Sequence, residues 1–181
     1  MKVEETPLSG CYIIEPAVFE DDRGYFFESF NHKKFEDATG VSIPFVQDNQ
    51  SQSQKGVVRG IHYQCGEWAQ SKLVRVLSGK VLDVAVDLRK DSPTFGKHFS
   101  IVLSAENKKQ LYIPRGFGHG FSVISETAEF SYKCDNYYNK ASEGGIIYND
   151  PFLGIDWHLN EDEVIVSEKD LYLPTFENAK L

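Results

Sequence analysis

What most constrains this chain is its density of short β-type runs set against an almost complete lack of helical periodicity. Runs rich in Val, Ile, Tyr and Phe recur along all 181 residues, each broken within a few positions by Gly, Pro, Asn or Ser. We read strands at 12–19, 24–30, 46–53, 57–64, 72–77, 80–88, 98–103, 110–113, 121–124, 128–134 and 145–148. Ser78-Gly79 joins KLVRVL to KVLDVAVDL as a hairpin, since glycine takes the positive φ of a tight turn without steric cost. One helix is predicted with caps at both ends: Asn31 starts it, HKKFEDAT forms it and Gly40 stops it. A second short turn begins at Ser167, whose hydroxyl caps Glu168-Lys169-Asp170. Many antiparallel strands with so little helix predict an all-β sandwich or barrel with one or two short helices.

Alternation assigns faces. Leu82, Val84, Val86 and Leu88 share one face of their strand, and Asp83, Ala85 and Asp87 share the other, which either meets water or lines a polar cavity. In GVVRGIHYQ, His62 and Gln64 point one way and Arg59 and Tyr63 the other. A regular strand therefore cannot send both Arg59 and His62 into one pocket; a bulge near Gly60 or a second subunit receiving Arg59 resolves the conflict.

Composition excludes several functional classes. The formal charge of −8 disfavours general nucleic-acid binding, which rewards a basic surface, although one nucleotide diphosphate needs only a few cations. No apolar run approaches the roughly 20 residues of a membrane helix, and MKVEETPLSG lacks the apolar stretch of a signal peptide. Three cysteines at wide spacing, Cys11, Cys65 and Cys134, suit reduced thiols in a cytoplasm. No linker or repeat divides the sequence, so residues 1–181 are expected to form a single domain.

Two segments resemble the halves of a cupin motif. Gly56 and His62 keep the spacing of the first half, with Gln64 where a second histidine often stands; Pro114, Gly116 and His119 in IPRGFGHGF keep the spacing of the second. Metal-binding cupins usually offer three histidines and a carboxylate. Two imidazoles and an amide are a weak set for a catalytic transition metal, so a cavity without a metal is expected.

The resemblance then becomes specific. DDRGYFFESF, FVQDNQSQSQKGVVRGIHYQ, AQSKLVRVLSGKVLDVAVDLRKDSPTFG, LYIPRGFGHGF, YKCDNYYNKASEGGIIYNDPFLGIDW and VSEKD, in this order and nearly end to end, resemble the dTDP-4-dehydrorhamnose 3,5-epimerase family. That resemblance implies a cupin-type jelly roll, a dTDP-4-keto-6-deoxysugar substrate in dTDP-L-rhamnose biosynthesis, no cofactor, and a homodimer that exchanges N-terminal strands. Departures are local: Ile61 in GIHYQ, the CGEWAQ loop, and Asn139-Lys140 where a proline is common.

The chemistry explains the residue types. A ketone at carbon 4 acidifies the hydrogens on carbons 3 and 5, and inversion needs a base, an acid on the opposite ring face, and a donor for the enolate oxygen. The resemblance assigns His62 as base with Asp170 holding its tautomer, Tyr132 as acid, and Lys72 near the ketone. It assigns substrate contacts to Arg23, Glu28, Gln47, Asn49, Arg59, His119, Tyr138, Glu143 and Lys169, with Tyr138 placed to stack on the base and arginine suited to phosphate. Asp83 stays outside the catalytic set, as a residue able to hold Lys72 or His62. The competing readings are a 3-epimerase of a related sugar, a silent cupin that only binds a sugar nucleotide, and a metal-dependent cupin oxygenase.

Overall fold

Proline and glycine cut the strand runs more finely than periodicity indicates. A computed structural model describes residues 1–181. In chain order the elements are β1 (Lys2–Glu5), β2 (Tyr12–Glu15), β3 (Val18–Asp21), β4 (Gly24–Phe27), α1 (His32–Thr39), β5 (Gln47–Gln54), β6 (Val57–Gln64) and β7 (Lys72–Ser78). They continue with β8 (Lys80–Asp87), β9 (His98–Ser104), β10 (Gln110–Ile113), β11 (Phe117–Val123), β12 (Thr127–Cys134), β13 (Glu143–Gly145), β14 (Ile165–Val166) and α2 (Glu168–Leu171).

The expected strand at 12–19 is two strands, β2 and β3, parted at Pro16, which has no N–H with which to continue a ladder. The strand expected at 145–148 lies instead at Glu143–Gly145, opposite Gln64, Tyr63 and His62. Ile146 still exchanges both backbone hydrogen bonds with Ile61 of β6; past it the chain peels away, and the Ile147 amide donates to the Pro174 carbonyl. β11 starts at Phe117, earlier than expected, because its glycines serve close packing: a Cβ on Gly118 would lie 2.4 Å from Ile61 Cγ2, and one on Gly120 would lie 2.8 Å from the Arg59 carbonyl. β1 and β14 were not expected from the sequence. Helix α1 matches its prediction, with Asn31 accepting from the Lys34 amide and Gly40 left-handed at φ 72°.

The strands form a jelly-roll sandwich. One sheet runs β1-β2-β10-β7-β12-β5; the other runs β13-β6-β11-β8-β9, with β14 added parallel to β6. Leu111, Val74, Phe130, Ala85, Phe121 and their neighbours fill the space between the sheets. Helix α1 covers the outside of the first sheet through Phe35 against Leu73 and Tyr112. The C-terminal segment covers the outside of the second, where Trp157, Leu153 and Phe176 pack on Leu82, Val84 and Val86. Strand β8 is thus buried on both faces, and its inner face carries Asp83 into the interior rather than to water. Only β3 and β4 stand apart, paired with each other alone.

Candidate active site

The conflict over Arg59 and His62 is settled within one chain. Along β6 and β11, His62 lies opposite His119, but Arg59 lies opposite Phe121: three residues of β6 are advanced against two of β11. The extra residue is a bulge at Gly60, where φ is +112° and a Cβ would come within 2.6 Å of both Gly120 Cα and the His119 carbonyl. The bulge turns Arg59 to the same side as His62, and both line a cavity of about 610 Å³ between the sheets.

His62 Nε2 lies 2.8 Å from Asp170 Oδ1. Asp170 is carried by α2, which Ser167 caps by accepting from the Asp170 amide, and the strap leading to it is pinned by β14 on β6. Burial pushes the Asp170 carboxyl up, but the hydrogen bond and charge of His62, the Gly60 amide and Ser167 outweigh it and hold the group below its ordinary value. An ionised carboxylate only accepts, so Nε2 donates its proton to Asp170, and in the neutral ring the lone pair is on Nδ1.

Tyr132 and Lys72 enter from the opposite sheet, on β12 and β7, and line the same cavity as His62. The Lys72 ammonium lies 5.7 Å from the centre of the Tyr132 ring. Burial lowers the Lys72 pKa, opposed by Cys134, Asp83 and Glu143. Burial likewise raises the Tyr132 phenol, with Cys134 adding to the rise and Arg59 opposing it, so the phenol is a neutral donor. An imidazole from one sheet and a phenol from the other therefore line one interior.

A smaller cavity of about 290 Å³ shares Asn49, His62, Lys72 and Tyr132 with the first and adds Gln47, Tyr138 and Glu143. There the Tyr138 hydroxyl donates to Glu143 Oε2 at 3.1 Å, and Lys169 Nζ donates to the same oxygen at 2.7 Å. The Gln47 amide donates to Asn49 Oδ1 at 3.1 Å. Arg59 Nε donates to Ser53 Oγ at 3.1 Å, which orients the guanidinium.

The family model described as dTDP-4-dehydrorhamnose 3,5-epimerase matches residues 5–178. This chain belongs to the dTDP-4-dehydrorhamnose 3,5-epimerase family. It is 52% identical to the dTDP-4-dehydrorhamnose 3,5-epimerase of Salmonella typhimurium, over 100% of this chain and 98% of that protein. The crystal structure of the Elizabethkingia anophelis dTDP-4-dehydrorhamnose 3,5-epimerase is similar at a TM-score of 0.95 and 61% identity, covering 98% of this chain and 97% of that one. That of a Legionella pneumophila dTDP-6-deoxy-D-glucose-3,5-epimerase, in complex with dTDP-4-keto-L-rhamnose, is similar at a TM-score of 0.94 and 50% identity, covering 98% and 93%.

Against this epimerase-family background, some residues sit otherwise than their motifs indicated. Gln64 is turned into structure: its amide donates to the Trp68 and Tyr137 carbonyls at 2.7 and 3.2 Å and accepts from the Asn139 amide at 2.7 Å. No group of three or more His, Cys, Asp or Glu is arranged to hold a metal ion. Arg23 and Glu28 are not brought to the cavity of their own chain. Arg23 lies on the β3–β4 turn with its side chain 90% exposed, paired to Asp21 at 2.6 Å, and Glu28 pairs with Lys34 at 2.9 Å. Asp83, left out of the catalytic set, is fully buried behind His119, with Oδ2 2.9 Å from His119 Nε2. The signal for it was the alternation in β8, which already put Asp83 on the face away from Leu82 and Val84.

Proposed function

We infer that this protein converts dTDP-4-dehydro-6-deoxy-D-glucose to dTDP-4-dehydro-L-rhamnose by inverting carbons 3 and 5. The observation that carries the reading is the placement of His62 with Asp170 on one sheet side and Tyr132 with Lys72 on the other, around a single cavity. His62 Nδ1 takes the hydrogen of carbon 3 or 5, and the electron pair moves through the enolate onto the oxygen of carbon 4, beside the Lys72 ammonium. Tyr132 Oη then delivers a proton to the opposite ring face, which inverts the centre. Lys169, Glu143, Gln47, Asn49, Arg59 and His119 surround the remainder of the nucleotide sugar, and Tyr138 stacks on thymine.

The chain acts as a homodimer in this reading. The β3–β4 hairpin pairs with no other strand, and Phe19 and Phe26 on it are 66% and 70% exposed, a cost for a free monomer that a second copy removes. Exchange of this arm brings Arg23 and Glu28 to the partner's cavity. The three free thiols, Cys11, Cys65 and Cys134, support a reducing cytoplasmic setting. No helix is long and apolar enough to cross a membrane.

Incubation with dTDP-4-keto-6-deoxyglucose in deuterated water tests the reaction. Proton spectra are expected to show deuterium at both carbons and the L-configured product. Label at carbon 3 alone identifies a 3-epimerase instead, and tight binding without exchange identifies a silent sugar-nucleotide binder.

A further inference from the structure

His119 lines the cavity and, with the fully buried Asp83 behind it, forms a second imidazole–carboxylate pair to which the reaction above gives no chemical step. On the inner face of the second sheet, Ala85 stands opposite His119 and Asp83 opposite Phe121, so Asp83 reaches diagonally under the His119 ring. The Asp83 side chain is fully buried and that of His119 is 7% exposed. Asp83 Oδ2 holds His119 Nε2 at 2.9 Å, while Oδ1 has no partner and no contact with solvent. A buried carboxylate oxygen left unpaired destabilises a fold, so stability alone does not account for an acid at this position.

The other ring nitrogen is the informative one. His119 Nδ1 has no hydrogen-bond partner in the chain and is not among the atoms sealed from solvent, so it opens onto the cavity that His119 lines. Phe130 stacks on the ring at 5.9 Å between centres and limits its rotation. Burial, joined by the charges of Lys72 and His62, keeps the imidazole neutral against the opposing pull of Asp83. A carboxylate only accepts, which leaves the single proton of a neutral ring on Nε2 and a lone pair on Nδ1.

We propose that Asp83 is a positioning residue that locks His119 in its Nε2–H tautomer, so that Nδ1 serves as an acceptor for a hydroxyl of the substrate's sugar ring. This rests on the epimerase reading and deepens it. The phosphates and the ketone of that substrate are acceptors and cannot pair with a bare Nδ1. The hydroxyls on carbons 2 and 3 are the donors within the sugar, so His119 reads the sugar and leaves the diphosphate to the cations.

Nitrogen–proton correlation spectra of the histidine-labelled wild-type enzyme at neutral pH give the first test, without turnover. His119 is expected as a neutral Nε2–H ring; a neutral Nδ1–H ring or an imidazolium overturns the proposal. Asp83→Asn gives the second. An amide of the same shape donates to Nε2 and moves the ring proton to Nδ1, so KM is expected to rise about tenfold or more while kcat changes little. Exchange at carbon 5 is then compared for the 2-deoxy and 3-deoxy analogues. One of them is expected to lose about tenfold in kcat/KM with the wild type and none further with Asp83→Asn. An unchanged tautomer, an unchanged KM or unchanged discrimination in a folded Asp83→Asn protein overturns the proposal, and if that variant does not fold the wild-type spectrum decides alone. Failure of the epimerase reading looks different: no exchange with the intact substrate, whatever the tautomer.

Discussion

His62 Nε2 and Asp170 Oδ1 are 2.8 Å apart although 108 residues separate them in the chain. One sits in the middle of a sheet, the other on a one-turn helix at the end of a strap, and the contact orients the imidazole with Nδ1 to the cavity. Asp170→Asn keeps the shape but offers a donor to Nε2, which favours the tautomer with the proton on Nδ1. The expected result is a loss of about 10²–10⁴-fold in kcat with a smaller change in KM. Steady-state kinetics checks it, and near-normal kcat would mean that the base lies elsewhere.

Tyr132→Phe separates the two halves of the reaction. Proton removal by His62 needs no phenol, so wash-in of deuterium from solvent is expected to continue at a reduced rate. Inversion, which requires delivery from the opposite face, is expected to slow by about 10²-fold or more. Equal loss of exchange and inversion in the same spectra would place Tyr132 outside the proton path.

Much of this arrangement was legible in the sequence, and the gaps have physical causes. Helix α1 was readable because both of its ends are closed by local signals, Asn31 and the left-handed Gly40. The clash between Arg59 and His62 was readable from period-two alternation, but its solution was not, because a bulge depends on which residues of β11 lie opposite. β14 escaped notice because a two-residue parallel strand has no periodicity, and its place is set by Gly56, whose carbonyl accepts from the Ile165 amide at 2.8 Å. Asp170 owed its assignment to resemblance, since nothing local in VSEKD points it at a histidine on another element.

Gly60→Ala tests the bulge. A methyl group there meets backbone at 2.6 Å, at a φ of +112° that side chains rarely adopt, so β6 and β11 must part. Destabilisation of about 1–3 kcal/mol is expected. Activity is expected to fall further than stability explains, because Arg59, His62 and His119 all hang on this junction. Thermal melting alongside kcat/KM at a temperature where the variant is folded checks both parts.

His119 gives the fold a pH dependence with a definite sign. Its folded pKa lies below the ordinary 6.5, chiefly through burial, so the unfolded chain binds this proton first. The contribution is therefore complete above pH 6.5 and is lost as the pH falls through the lowered folded value, with a slope of up to about 1.4 kcal/mol per pH unit for one proton. His119→Gln, whose amide still donates to Asp83, is expected to flatten this part of the Tm profile. An unchanged slope in the variant would assign the pH dependence to another group.

Arg23 and His62 provide a test of the shared site that no single-chain geometry supplies. Arg23 is 90% exposed on the free hairpin, and His62 lines the interior cavity. Arg23→Ala alone is expected to raise KM by about 10–100-fold through lost charge-assisted contacts with phosphate. His62→Ala alone is expected to abolish exchange at both carbons. Mixing the two variants under conditions that allow subunit exchange, at substrate well below the raised KM of Arg23→Ala, then discriminates. With the arm crossing over, a hybrid dimer contains one site with His62 from the first chain and Arg23 from the second, so activity returns to as much as half of the wild-type value per hybrid. With the arm folded back on its own chain, every site in the hybrid carries one of the substitutions, and activity does not rise above that of the Arg23→Ala sites alone. The hairpin pairs with nothing else in its own chain, so recovery is the expected outcome.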